Sequence, residues 1–351
     1  PSLSVQILYN KGNSFGLVDD LVVIERLLKV VSQSASSGVT FQKPRLLDPR
    51  EPLTPADVQI HLEVPVYGAI AWGHCNILLV NPEHWVDAAY DPYVPSFDLI
   101  LFRDPAAAAS FRSRWAELGI LAQHLIDVRT VVLPWCSSWE VRDVPRTVKR
   151  NEFIGFVGGS ENKAAYLAAV LPLWRPSYPP LTLYTTRVDL LERFRAILPE
   201  MPANIHLLQT ELDGQKQKQL AAIYAGHLCV SAAEGFGYTA AHAEVAGAFS
   251  IMNQLSVFRS QYDCDSHVAW LPEMASELRQ DDMDQAMAVF MTMPTDVVYR
   301  ARTAQSKIRM AFLTTSFMEC VPILLDTVKS RKPAKGIHHL PPILDQIGRA
   351  H

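Results

Sequence analysis

The sequence predicts an α/β protein built from two doubly wound, parallel-sheet domains. Three observations predict it. Short apolar runs alternate with stretches of helical periodicity. The alternation pauses in a polar segment near residues 140–152, where Pro145, Arg146, Lys149 and Arg150 cluster, and then restarts. Several apolar runs end in glycine-bearing turns that open helices. A chain of 351 residues suits two domains of about 150 each.

The elements follow in order. Residues 4–9 (SVQILY) form an apolar run read as a strand; a polar turn occupies 10–16, and Leu and Val recur at helical spacing over 17–31. Residues 57–64 (DVQIHLEV) alternate as a half-buried strand does, and 75–80, 98–102 and 130–133 are further short apolar runs. Residues 106–122 read as a helix with Phe111, Trp115 and Leu118 on one stripe. After the pause come strands over 153–157, 181–185, 205–208 and 227–231, a short one at Ile251, and a last over 267–271. Helices are expected from Lys163 and from Asp189, over 216–225 and over 301–329. The boundaries are placed at 1–148 and 149–310, with 311–351 as a helix and an irregular tail that carries SRKPAKGIHHLPP.

Composition removes whole classes of function. The chain is 49% hydrophobic and 19% charged, which is ordinary globular material. A formal charge of −4 gives no basic field for nucleic acid. No run approaches the roughly 18–20 apolar residues of a membrane span, so no integral segment is expected. The first residues lack the basic start and apolar centre of a secretory signal. The five cysteines, Cys75, Cys136, Cys229, Cys264 and Cys320, are odd in number, widely spaced and without a C-x-x-C, which points to reduced thiols and a cytoplasmic location.

The chemistry gathers in three glycine turns. A strand, a glycine turn and a helix start together present free backbone N–H groups to an anion, and the helix dipole adds about half a positive charge. Asn10-Lys11-Gly12-Asn13-Ser14 opens the first half, Gly158-Gly159-Ser160-Glu161-Asn162-Lys163 the second, and Glu234-Gly235-Phe236-Gly237 follows the strand at 227–231. None fits G-x-G-x-x-G or the Walker pattern. A single glycine after a strand is usually a tight turn and nothing more. Two such turns in one domain, one with a lysine and one with a glutamate, say more: the lysine can neutralise a diphosphate, and the glutamate can hold sugar hydroxyls while helix-start amides hold phosphate. The helix after Gly237, TAAHAEVAGA, is nearly free of bulk. Tight packing on a sheet explains its alanines but not the acidic turn before it.

The stretches SAAEGFGYTAAHAEVAGAFSI and FIGFVGGSENKAAYLAAVLPLW resemble the donor site of GT-B glycosyltransferases, and most closely the retaining glycosyltransferase group 1 (family 4) superfamily. ADVQIHLEV and NILLVNPEHW resemble first-domain strands of divergent members. The likeness spans most of residues 55–310. It implies two Rossmann-like domains facing across a cleft, with a C-terminal helix crossing back to the first. It also implies a UDP- or GDP-linked sugar on the second domain, an acceptor (glycan, small molecule or protein) on the first, and no cofactor or metal. By this resemblance Glu234 and Lys163 are the catalytic residues. Gly158, Gly159, Ser160, Asn162, Gly235, Phe236, Gly237, Tyr238, Thr239 and His242 contact the donor. The sequence departs from the family at two places: His242 stands where a second glutamate reaches the ribose, and Gly159 stands where an arginine often follows the first glycine, leaving Arg187 as a candidate substitute. A GT-B protein that binds a nucleotide sugar without efficient turnover, and a GT-B epimerase or phosphorylase, are the alternatives.

For the acceptor side, a polar turn after an apolar strand falls at the strand's carboxyl end. Gly12, Asn13, His74, Asn81 and Glu83 are the cleft candidates, with His61 and Trp85 considered beside them. Two D-x-D patterns, Asp263-Cys264-Asp265 and Asp282-Met283-Asp284, are read as capping or loop features and not as metal ligands. His338-His339 lacks companion ligands. Lys329, Arg331, Lys332 and Lys335 form a modest basic patch for which a peripheral membrane contact stays open beside a solvated helix end.

Overall fold

The computed structural model describes residues 1–11, 16–198 and 200–330. Its first lobe carries β1 (Ser2–Leu3), β2 (Val5–Leu8), α1 (Leu17–Gln33), β3 (Thr40–Phe41), β4 (Arg45–Leu47), β5 (Ala56–Glu63), β6 (Gly73–Val80), α2 (Asp87–Tyr90), β7 (Leu99–Phe102), α3 (Pro105–Glu117), α4 (Gln123–Arg129) and β8 (Thr130–Val132). Six of the strands form one parallel sheet in the order β4-β2-β5-β6-β7-β8, and β1 pairs with β3. Residues 133–149 lead to the second lobe: β9 (Arg150–Gly158), α5 (Glu161–Val170), β10 (Leu181–Thr185), α6 (Val188–Ile197), β11 (Ile205–Gln209), α7 (Gly214–Ile223), β12 (Tyr224–Cys229), α8 (Tyr238–Val245), β13 (Phe249–Asn253), α9 (Ser256–Tyr262), β14 (Val268–Leu271) and α10 (Gln280–Thr292). Its parallel sheet runs β11-β10-β9-β12-β13-β14. The expected pair of doubly wound sheets is therefore present.

The apolar runs form strands because both faces of each sheet are covered. Every residue of β2, β7, β12 and β13 is buried. The strand order reverses between β2 and β5 in one lobe and between β9 and β12 in the other, and the carboxyl ends beside these reversals are where open α/β sheets bind ligands.

The 36-residue α11 (Thr295–Ser330) ties the lobes together. Near its start, the fully buried Arg302 donates to Ala248 O (3.1 Å), Ser250 Oγ (2.9 Å) and Asp265 Oδ2 (2.6 Å). Further along, Leu313, Phe317, Cys320, Val321 and Leu324 enter the core of the first lobe. The expected crossing helix is present and begins earlier than residue 301. It also corrects the expectation about apolar runs: among the described residues α11 alone has the length and composition to cross a membrane, with a mean hydropathy of 1.5 over 18 residues.

Other differences have local causes. The helix expected over 106–122 ends at Glu117, because Gly119 turns into the left-handed region (φ +66°); Leu118 is then 65% exposed, off the buried stripe of Phe111 and Trp115. Residues 224 and 225, expected to end a helix, begin β12. All five cysteines are free thiols, and only Cys264 is exposed.

Candidate functional site

At the second-lobe reversal, β9 ends on Gly158 with φ +58°, and Ser160 caps α5 by accepting the Lys163 N–H at 3.3 Å. Ala232 N–H donates to Asn162 O at 2.9 Å, which fastens the two glycine turns to each other. Gly237 opens α8 at φ +86°, and a Cβ there would lie 2.2 Å from Phe258 Cε1, so this position admits only glycine. The result is one compact group. Lys163 Nζ lies 3.5 Å from Glu234 Oε1, with side chains 19% and 15% exposed. Ser160 takes the Lys163 N–H and Gly237 O takes the Ala240 N–H, so the amides left as donors are those of the first two residues of α5 and of α8.

The first lobe meets this group directly. Asn81 follows β6, and a Cβ on Gly235 would lie 2.5 Å from Asn81 Oδ1. Asn81 Oδ1 accepts the Glu83 N–H (3.2 Å), and Asn81 Nδ2 donates to Glu63 Oε1 (3.0 Å). Burial pushes the Glu83 carboxyl up, the charge of Glu234 adds to the rise, and Lys163 opposes it. His84 Nδ1 lies 3.3 Å from Glu63 Oε1, and that hydrogen bond raises the imidazole above its ordinary value. Glu63 is held low by His84 and Asn81 against the opposing effect of burial.

Beside this lies a network between the lobes. The Tyr238 hydroxyl donates to Asp20 Oδ1 at 2.5 Å and accepts from Trp135 Nε1 at 2.8 Å. Asp20 Oδ2 accepts from Arg103 Nη2 at 2.8 Å. Burial raises the Asp20 carboxyl to about 6 although Arg103 and Tyr238 act to lower it. Phe236 and Ala241 pack into the first-lobe core, and the Tyr238 side chain packs against it. His242 is 4% exposed, stacks on Trp139 at 3.8 Å, and sets Nε2 3.2 Å from Ser138 Oγ and 3.6 Å from Asp19 Oδ1. The ring expected at a ribose packs at the contact between the lobes. Thr239, three residues before His242 in α8, has its hydroxyl buried.

The structure brings Gly158, Gly159, Ser160, Asn162, Lys163, Glu234 and Gly235 together with Asn81 and Glu83. It removes others from the cleft. His74 is the second residue of β6, at the amino end of the strand and so opposite the Asn81 end, 3.7 Å from Asp57. His61 is fully buried within β5, and burial lowers it to about 3. Trp85 donates to Asp91 and packs among Tyr90, Phe111 and Trp115. Arg187 reaches Gly159 O at 3.4 Å but is paired with Glu161 and Asp189. Asp265 binds Arg302 and His267, Asp263 pairs with Arg259, Asp282 caps α10 and Asp284 pairs with Arg175. Gly12, Asn13, Arg331, Lys332, Lys335 and His338-His339 lie outside the described residues.

Sequence reasoning missed Glu63, His84, Asp20 and Arg103. Glu63 and His84 lie at a strand end and in the polar turn after β6, so strand-end position is the available signal. Asp20 and Arg103 gave none, because each gains its partner only across the fold.

No protein-family model and no curated protein matches the sequence. Solved structures do. An E. coli trehalose-6-phosphate structure bound with UDP-2-fluoro glucose matches at TM-score 0.63 and 12% identity, over 94% of this chain and 100% of that one. A glycosyltransferase from Rickettsia africae matches at TM-score 0.63 and 10% identity, over 92% and 99%. In the GtfA/B complex the match is 0.55 at 12% identity over 78% of this chain, which spans 58% of that chain. Two parallel-sheet, Rossmann-like lobes and a C-terminal helix match these structures: the chain has the GT-B fold.

Proposed function

We propose that the protein transfers a sugar from a UDP- or GDP-linked donor to an acceptor held by the first lobe, with retention and without a metal. The observation that carries this reading is the Lys163–Glu234 pair, 3.5 Å apart between two helix starts at the second-lobe reversal. A nucleoside diphosphate gains negative charge as it leaves, and Lys163 with the amides of α5 and α8 stabilises it there. Glu234 orients the ring by accepting from its hydroxyls. Asn81 and Glu83 face that ring from the acceptor side. The UDP-2-fluoro glucose in the E. coli relative and the UDP and glucose in Anabaena HepE support a UDP-linked donor. Metal-free transfer is supported by the D-x-D carboxylates, whose partners are arginines, a histidine and a helix cap.

A thermal-shift panel of nucleotide sugars tests the reading, because a ligand bound only by the folded state raises its melting temperature. Stabilisation by one donor, followed by transfer to an acceptor, supports it. No stabilisation by any UDP- or GDP-sugar refutes it. The packing of His242 favours a second reading, a GT-B protein that binds its donor without efficient turnover. Donor binding with neither transfer nor hydrolysis would select it.

A further inference from the structure

Glu63 closes β5 with φ +70°, the one non-glycine residue at positive φ among those described. A glutamate gains nothing locally from that conformation, so surrounding contacts hold it, and strained backbone of this kind gathers at functional sites. The strain places a carboxylate. Its side chain is 14% exposed, accepts from Asn81 Nδ2 at 3.0 Å and sits 3.3 Å from His84 Nδ1. His84 ends the short helical turn Pro82–His84, and its side chain is 49% exposed. Nδ1 lies between two groups, the Asn81 amide nitrogen at 3.5 Å and the nearer Glu63 carboxylate at 3.3 Å; donation from Nδ1–H to Glu63 selects the tautomer whose lone pair is on Nε2, which has no hydrogen-bond partner among the described residues. The same turn carries Glu83, which feels Lys163 and Glu234 from the other lobe, so the imidazole stands on the rim of the proposed site.

Resting on the transferase reading, we propose that His84 Nε2 takes the proton of the attacking acceptor hydroxyl and that Glu63 is its positioning residue. The step balances as follows. The acceptor O–H bond breaks and its proton passes to Nε2. The oxygen forms a bond to the anomeric carbon. The bond from that carbon to the diphosphate oxygen breaks, its electron pair leaves with the diphosphate, and Lys163 stabilises the new charge. This balance is the same for attack on either face of the sugar. A carboxylate behind Nδ1 fixes the ring and stabilises the imidazolium that forms. The charged groups facing His84 are Glu63 from β5 and Glu83 from its own turn, and both raise its pKa.

The test measures nucleoside diphosphate release from UDP-glucose and GDP-mannose, with water as acceptor, as a function of pH. It uses the parent chain, His84→Gln, Glu63→Gln and Glu83→Gln, with UDP and GDP affinity measured in parallel. His84→Gln is expected to lower kcat about a hundredfold at unchanged nucleotide affinity and to abolish the acid limb of the profile. Glu63→Gln is expected to move that limb to lower pH, since it removes the group that raises His84. An unchanged kcat in His84→Gln overturns the inference alone. So does an acid limb that persists in His84→Gln and vanishes in Glu83→Gln, which would make Glu83 the proton acceptor. A parent chain that binds UDP or GDP but releases nothing removes the base role and leaves the donor site standing. A parent chain that binds neither overturns the transferase reading and this inference together.

Discussion

Tyr238 donates its hydroxyl hydrogen to Asp20 Oδ1 at 2.5 Å, joining the start of α8 in one lobe to α1 in the other across 218 residues of sequence. Asp19, one residue earlier, is held low by His242 and Ser138 and also feels Lys163, so the clasp lies against the proposed donor site. Tyr238→Phe should lower unfolding free energy by about 1–3 kcal/mol, since it leaves buried Asp20 short of a donor. Denaturant titration measures it. Unchanged stability would mean that the bond contributes nothing to holding the lobes together.

Asp20 also sets a pH dependence with a definite sign. Its carboxyl is raised from the ordinary 3.8 to about 6, so the folded chain binds the proton more tightly than the unfolded chain does. That contribution is fully present below 3.8 and is lost as pH rises through about 6. Asp20→Asn should flatten the stability profile of the parent chain in this window. Parallel profiles for the two proteins would contradict the assignment.

Lys163→Ala should weaken UDP or GDP binding about ten- to a hundredfold, the scale of a charge-assisted hydrogen bond to an anion. Because the side chain is only 19% exposed and pairs with Glu234, the melting temperature of the variant is measured alongside to show that it is folded. Calorimetric titration with the bare nucleotide reads this directly, and an unaltered affinity would take Lys163 out of the site.

Glu234→Gln keeps the shape of the turn while replacing one acceptor oxygen by a donor group. Turnover of the donor sugar should fall more than affinity for the bare nucleotide. Equal losses in both would assign Glu234 to holding Lys163, 3.5 Å away, and not to the sugar.

His242→Ala should lower stability by about 1–2 kcal/mol, because the ring stacks on Trp139 and is bonded to Ser138. Nucleotide affinity in the folded variant should not change. A weakened affinity at unaltered melting temperature would instead place the ring on the ribose.

The sequence by itself determined the two sheets and the glycine turns that open α5 and α8. Strand runs such as 181–185 were legible because covered parallel strands are short and apolar. Lys163, Glu234 and Gly237 were legible because turn chemistry is written in adjacent residues, and here the left-handed Gly237 opens the helix as the turn requires. Only the tertiary structure decided which charges meet. His74 and Asn81 belong to one strand and its turn, yet strand direction puts one at the amino end and the other at the carboxyl end of the sheet. Glu63 and His84 become partners, as do Asp20, Arg103 and Tyr238, only when separate elements dock. The resemblance points to His242 because it stands where a second glutamate is expected, but a docked Trp139 decides what its ring touches. Local propensity and periodicity act over a few residues, whereas these pairings depend on long-range packing that no window of sequence contains.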